Sequence, residues 1–346
     1  MSLQPSLRIG DKRIAPDAPV FIIAEIGDTH GGSVDTALRL IDAAAAAGAD
    51  AVKLQAIDPD HSYIPGEPSH AIFSQLRLTR EALVRLRRAA DECGLILFST
   101  PGSAHDLRLM QELKMPLIKI SSGLMTNLPL IRQAAQTGLP LIMSTGMSDL
   151  EEVAQSVRAV EEAGGSQLAL MHCVSLYPAP AQTLNLRAMQ TLAAAFPCPV
   201  GYSDHFDGIA ACAAATALGA RLLEKHLTLD RAVGPNGACA ADPAQLRELV
   251  RAVRDTERML GRADKESVDA EQPGRSFYRR CLVAHRAIAQ GEVVTADAVG
   301  LKRPRRGQPG LPPSEWDRVI GRRAVRRIEQ HDSIIAEMIE GLAVYV

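Results

Sequence analysis

The chain has 346 residues, more than one compact core usually fills, and with 47% hydrophobic but only 3% aromatic residues its interior must be built from Ala, Leu, Val and Ile. Its 38 Lys and Arg against 40 Asp and Glu leave a net charge of −2, which argues against nucleic acid or a membrane surface as the main partner. No apolar run reaches the ~18 residues of a membrane span and no charged-then-apolar leader opens the chain. The six scattered cysteines form no Cys-x-x-Cys pair, so reduced thiols in the cytoplasm are expected.

Short apolar runs then alternate with amphipathic helical patterns. The spacing predicts strands over Val20–Glu25, Ala51–Gln55, Leu95–Ser99, Leu117–Ser121, Leu139–Ser144, Leu168–Cys173, Val200–Ser203 and Arg221–His226. Helices are predicted over Val34–Ala47, Thr79–Cys93, Ser103–Leu113, Leu128–Thr137, Asp149–Ala163, Asn185–Phe196, Ile209–Leu218 and Pro243–Leu260. Gly48, Gly94, Gly138, Gly164 and Gly219 stand just past helices, where a left-handed cap is wanted. Eight strand-then-helix units in strict alternation count out a (β/α)8 TIM barrel over residues 1–261, with a doubly wound sheet as the rival.

Beyond it the texture changes. Residues 262–275 are charged, carry Pro273-Gly274 and read as a linker. Residues 276–346 hold short β-like pieces at Arg280–Val283, Glu292–Thr295 and Arg323–Ile328. Two stretches share a form, Ala287-Ile-Ala-Gln-Gly-Glu-Val-Val and Arg327-Ile-Glu-Gln-His-Asp-Ser-Ile, each entering a tight turn between apolar runs. A β-rich module of about 70 residues has little core of its own and is expected to dock on something.

Parallel barrels place chemistry where strands end. The strand ends here supply Glu25, Lys53, Gln55, Thr100, Lys119, Ser122, Ser175, Tyr177 and Ser203, then two histidines, His205 and His226, with Asp204 and Glu224 beside them. Two neutral imidazoles and a carboxylate suit a divalent metal, although a single histidine there would more simply bond inside the core. Two lysines among hydroxyls and Gly-adjacent amides suit a phosphorylated anion, although either lysine alone would read as an ion pair at the barrel mouth. Cys173, following His172, reads as a small buried thiol.

In order along nearly the whole chain, Ala24-Glu-Ile-Gly…His30…Gly32-Ser33, Ala49-Asp-Ala-Val-Lys53-Leu-Gln55, Phe98-Ser-Thr-Pro101, Pro140-Leu-Ile-Met-Ser-Thr-Gly-Met147, His172-Cys…Tyr177-Pro178, Gly201-Tyr-Ser-Asp-His205 and Glu224-Lys-His226 resemble the sialic acid synthase family. That family takes in the N-acetylneuraminate, legionaminate and pseudaminate synthases and a spore-coat polysaccharide homologue. The tail resembles its antifreeze-like (SAF) domain through Arg280-Cys-Leu-Val-Ala, Lys302-Arg303-Pro304 and Trp316-Asp…Ile320-Gly321. The resemblance implies condensation of phosphoenolpyruvate with an N-acylated sugar aldehyde to a 2-keto-3-deoxy sugar acid plus phosphate. It implies Mn²⁺ at His205 and His226, with Mg²⁺ or Co²⁺ as alternatives. It assigns phosphoenolpyruvate contacts to Lys53, Thr100, Lys119, Ser122, Ser175 and Ser203, and places Glu25 near the reacting centre with Glu224, Gln55 and Tyr177 around the acceptor. It further implies a domain-swapped homodimer in which Arg303 reaches the N-acyl group from the neighbouring chain's tail.

Departures from the family pattern fall on the acceptor side. Leu124 and Asn236 stand where carboxylates are expected, Ala240 replaces a serine, Gly31 replaces an asparagine, and Ala56–Gln75 has no clear counterpart. Lost carboxylates weaken a site for a polyhydroxylated sugar, so a different or less polar acceptor is expected. Two other readings remain open: a Schiff-base aldolase using Lys119 or Lys53, and a non-catalytic barrel with a SAF module.

Overall fold

The structure is a computed structural model that describes residues 2–232 and 234–342. By backbone contacts it divides into two compact units, Met1–Gly261 and Arg262–Val346.

In the first unit β1 (Leu7–Ile9) and β2 (Lys12–Ile14) pair as an antiparallel hairpin that the sequence pattern does not reveal, since three residues are too few to establish a period. Then follow β3 (Phe21–Glu25), α1 (Val34–Ala47), β4 (Ala51–Leu54), α2 (Pro59–Ser62), α3 (Pro68–Leu76), α4 (Arg80–Glu92), β5 (Ile96–Ser99), α5 (Ala104–Glu112) and β6 (Ile118–Ile120). The unit continues with α6 (Leu128–Gln136), β7 (Leu141–Ser144), α7 (Leu150–Glu162), β8 (Leu168–Cys173), α8 (Ala188–Ala195), β9 (Val200–Asp204), α9 (Ala210–Ala217), β10 (Leu222–His226) and α10 (Pro243–Leu260). Strands β3 to β10 are all parallel, and β10 pairs back onto β3 with His226 opposite Glu25. The sheet therefore closes into a (β/α)8 barrel, and the doubly wound alternative is excluded.

The helices form because their apolar positions recur at helical spacing and their ends are capped. In α10 the Asp242 side chain accepts from the N3 backbone while Gln245 returns a bond to the cap, and Pro243 sits in the first turn, where its missing N–H costs nothing. Leu246, Leu249, Val250 and Val253 are the face it buries. Replacing Leu249, fully buried, with Ala would cost about 2–5 kcal/mol. Inside the barrel, Leu7, Ile9 and Ile14 of the hairpin join Phe21, Ala51, Leu117 and Leu222 from the strand starts in one apolar cluster. That cluster plugs the amino-terminal end and leaves the carboxyl-terminal end polar.

The second unit holds α11 (Gln272–Tyr278), β11 (Cys281–Ala284), β12 (Val299–Lys302) and α12 (Trp316–Val319), with β11 and β12 antiparallel. The expected linker thus ends in a helix, because Pro273 is tolerated in a first helical turn. Of the three β-like pieces only the first becomes a ladder strand. The others contribute isolated bridges, Val293 with Arg323 and Ile288 with Ile328. The two stretches of similar form do adopt one shape: Glu292 and Asp332 bond the backbone N–H of Ala289 and Glu329, and Gly291 and His331 both take positive φ, 80° and 73°. Glycine accepts that conformation freely and histidine does so at a cost of about 1–2 kcal/mol. Leu282, Ile288, Val294, Ile328 and Ile334 bury together as this unit's own core. Among the described residues no helix is long and apolar enough to cross a membrane.

Candidate active site

Pleating decides which strand-end side chains enter the barrel, since alternate residues face opposite sides. Along β9 and β10 this sends Ser203 and Glu224 inward and Asp204 and Lys225 outward. Asp204 pairs with Lys225 at 2.9 Å and accepts the Phe206 N–H at 2.8 Å. The expectation that Asp204 stands beside the histidines as a metal-side carboxylate is therefore corrected: it neutralises a buried lysine behind the strand.

Inside, a cavity of about 410 Å³ opens at the carboxyl-terminal end of the barrel. Its polar floor carries Lys53, Lys119, Ser122, Ser203 and Glu224, with Gln55, Ser175, Tyr177, His205 and His226 around it. Ser203 Oγ donates to Glu224 Oε1 at 3.1 Å, and the Lys119 and Lys53 ammonium groups lie 3.3 and 3.6 Å from the Glu224 carboxylate. Lys53 also pairs directly with Glu25 and reaches Thr100 Oγ1 at 3.5 Å. Glu25 and Thr100 are fully buried behind Lys53 rather than on the cavity wall. The Gly146 N–H donates to Ser122 Oγ at 3.1 Å, tying the β6 loop to the β7 loop.

Electrostatics separate the two lysines. Burial pushes Lys53 down, yet Glu224 and Glu25 outweigh it and hold its ammonium above the ordinary lysine range. Lys119 has Glu224 close by and feels Lys53 as a like charge, so burial wins and its pKa falls. Burial would lift the Glu224 carboxyl, but Lys119 and Lys53 together hold it well below the usual range, so it stays ionised.

The two histidines share the opposite wall. Their ring centroids are 5.4 Å apart, and the Tyr177 ring packs 4.1 Å from that of His205. Burial, followed by the neighbouring His226, lowers His205 to about 3, so it is neutral. Its Nδ1 lies 2.8 Å from the Val174 carbonyl oxygen, which can only accept, so Nδ1 carries the proton and Nε2 keeps its lone pair. That is the form a metal ligand takes, and His205 and His226 fit a divalent ion. A second group, Asp58, His61 and His105, brings three ligand atoms within 4.8 Å of one another, the one such trio among the described residues. There Asp58 already receives Arg77 at 2.8 Å, and the two imidazoles stack at 4.1 Å with planes 6° apart, so their in-plane lone pairs do not converge.

One wall of the cavity is made by residues that the sequence pattern misses. Helix α3 contributes Ile72, Phe73 and Leu76, joined by Met147, Pro235 and Asn236. Gly32 makes this placement feasible: its φ is 78°, and a Cβ there would collide with the Gln75 carbonyl oxygen. Leu124 turns away from the cavity and packs on the barrel core, while Ala240 is buried. Asp28, just beyond β3, also lines the cavity, and no periodicity marks a loop residue of this kind. Arg303 belongs to the second unit, where its guanidinium lies 5.3 Å over the Tyr278 ring.

The NeuB family pattern matches residues 40–265 and the SAF domain pattern residues 279–340. The chain is 35% identical to the N,N'-diacetyllegionaminic acid synthase of Legionella pneumophila over 92% of its length and 94% of the relative's. It is 31% identical to the human N-acetylneuraminate-9-phosphate synthase, covering 93% of both chains. The crystal structure of the N-acetylneuraminic acid synthetase from Leptospira borgpetersenii superposes with a TM-score of 0.73 at 33% identity, over 79% of this chain and 96% of that one. By its barrel, its tail and these likenesses, the chain belongs to the NeuB family.

Proposed function

We propose that this chain condenses phosphoenolpyruvate with an N-acylated sugar aldehyde, giving a 2-keto-3-deoxy sugar acid and phosphate for surface polysaccharide biosynthesis. The observation that carries this reading is the convergence of two buried ammonium groups, Lys53 and Lys119, on Glu224 at the floor of a cavity whose other wall is His205 and His226. The four charges of Lys53, Lys119, Glu25 and Glu224 cancel. A bound phosphoenolpyruvate anion would leave excess negative charge, which a dication at the imidazoles offsets.

Carbon 3 of phosphoenolpyruvate attacks the aldehyde carbon, forming the new C–C bond. Water adds at carbon 2, and phosphate departs with its bridging oxygen by C–O cleavage. Lys53, Lys119, Ser122, Ser175 and Ser203 orient the anion, and Thr100 fixes Lys53 from behind. Glu25 anchors Lys53 beside the reacting centre, while Glu224, Gln55 and Tyr177 face the aldehyde. A divalent ion at His205 and His226, Mn²⁺ by the resemblance, would polarise the aldehyde oxygen and orient the attacking water.

The acceptor wall of Ile72, Phe73, Leu76 and Met147 supports a less polar acceptor than N-acetylmannosamine. The second unit is read as the lid of a neighbouring chain's barrel in a homodimer, with Arg303 on the N-acyl group. The test is phosphate release from phosphoenolpyruvate across a panel of sugar aldehydes with Mn²⁺ present. Release that needs an aldehyde and stops on chelation supports the reading; none with any aldehyde would end it. Lys119, whose ammonium burial destabilises, favours one rival, a Schiff-base aldolase. Borohydride trapping of pyruvate on Lys119 would select that rival.

A further inference from the structure

Beside His226 stands a buried carboxylate that comes from outside the strand-end set. Asp28 lies in the loop after β3 and is 2% exposed. Its Oδ2 accepts the Asn236 N–H at 3.2 Å, and its backbone carbonyl accepts the Gly31 N–H at 3.3 Å, so both the side chain and its loop are held. Gly234 packs against the same carboxylate, where a Cβ would come within 3.1 Å of Oδ2. The other oxygen, Oδ1, faces His226 Nδ1 at 3.4 Å. Both atoms are buried, and neither has a hydrogen-bond partner among the described residues. Beside Asp28, Thr29 Oγ1 donates to the Leu227 carbonyl at 2.6 Å, clamping the loop to the chain just past His226.

Two roles are open to such a carboxylate: a third metal ligand, or a group that acts on the metal through the histidine. The first is not favoured, because Asp28, His205 and His226 do not bring ligand atoms within 4.8 Å of one another. The second matches His205, whose Nδ1–H is taken by the Val174 carbonyl. An ionised carboxylate can only accept, so a hydrogen bond across the 3.4 Å between Asp28 Oδ1 and His226 Nδ1 would fix the proton on Nδ1 and leave Nε2 as the lone-pair nitrogen. We propose that Asp28 is the positioning residue of the metal site, holding His226 in its Nε2-ligating tautomer while the Val174 carbonyl does the same for His205. This deepens the reading of His205 and His226 as metal ligands and rests on it.

The experiment has two arms, both on the full-length chain. In the first, ¹⁵N-histidine NMR of the metal-stripped protein reads the His226 tautomer. Wild type is expected in the Nδ1–H form and Asp28→Ala in a mixture; Asp28→Asn, whose single amide oxygen can meet either His226 or the Asn236 N–H but not both, is expected to fall between them. In the second, Mn²⁺ binding is followed by electron paramagnetic resonance. Asp28→Ala is expected to weaken binding about 10- to 100-fold, the size usual for outer-shell partners of metal ligands, and Asp28→Asn less. If Asp28→Ala does not fold, Asp28→Asn and Asp28→Leu carry both arms. Wild-type tautomer and wild-type Mn²⁺ affinity in Asp28→Ala, or in Asp28→Leu where the alanine variant does not fold, would overturn the proposal. If wild type binds no Mn²⁺ while the tautomer still follows Asp28, the metal reading of the site fails and the orienting contact alone survives.

Discussion

Replacing Lys119 with Met separates anion binding from folding, because the two lysines are supported unequally. Lys53 pairs with Glu25 and Glu224 and touches Thr100, so Lys53→Met strands Glu25 in the barrel with the Gly27 N–H as its remaining bond among the described residues. Removing one partner of a buried pair costs about 3–5 kcal/mol of stability. Lys119 pairs with Glu224, which after Lys119→Met still has Lys53 at 3.6 Å and the Ser203 hydroxyl at 3.1 Å. Its loss should therefore cost about 1–3 kcal/mol, within the margin of a folded domain. The anion loses one charge-assisted hydrogen bond, about 1.5–3 kcal/mol, which raises the phosphoenolpyruvate KM about 10- to 150-fold. Urea unfolding gives the stability ranking, and steady-state phosphate release gives the KM. An unchanged KM in Lys119→Met, or a stability loss as large as that of Lys53→Met, would refute the assignment of the two ammonium groups.

Three further outcomes are expected. Chelation should abolish phosphate release and Mn²⁺ should restore it, whereas His205→Ala and His226→Ala should stay inactive after the same treatment; full activity in either variant would exclude it as a ligand. His30 is buried, its Nδ1 accepts the Gly32 N–H at 3.0 Å, and burial lowers its pKa from 6.5. Because the folded chain resists a proton that the unfolded chain binds, this contribution is full above pH 6.5 and is lost as pH falls below it, at up to about 1.4 kcal/mol per pH unit. His30→Asn should flatten the fall in urea-derived stability between pH 6.5 and 5, and parallel curves would contradict the sign. Finally, deleting residues 276–346 should abolish condensation and leave a folded barrel. Mixing inactive His226→Ala with inactive Arg303→Ala chains should restore about a quarter of the activity if sites are composite. No recovery in confirmed mixed dimers would show that each lid serves its own barrel.

What the sequence by itself determined is the barrel and its polar rim. Strict alternation of apolar runs with capped amphipathic segments leaves few architectures, and in a parallel barrel the residue at a strand's end has one place to be. Lys53, Lys119, Glu224 and His226 could therefore be named as cavity residues from position alone, whereas Glu25 lies buried behind Lys53. Facing was harder. Ser203, Asp204 and His205 are consecutive, and only the pleat, set by pairing with β10, turned Ser203 to the cavity and Asp204 to Lys225. Three things waited for the tertiary structure. The first hairpin is too short to show a period. Helix α3 forms one wall of the cavity through an approach of Gln75 to Gly32 that spans 43 positions (75 minus 32) and leaves no local signal. Asp28 meets His226 across 198 positions (226 minus 28), because closing the barrel sets β3 against β10. Local propensity acts over a few residues, whereas these contacts exist only once eight strands have closed.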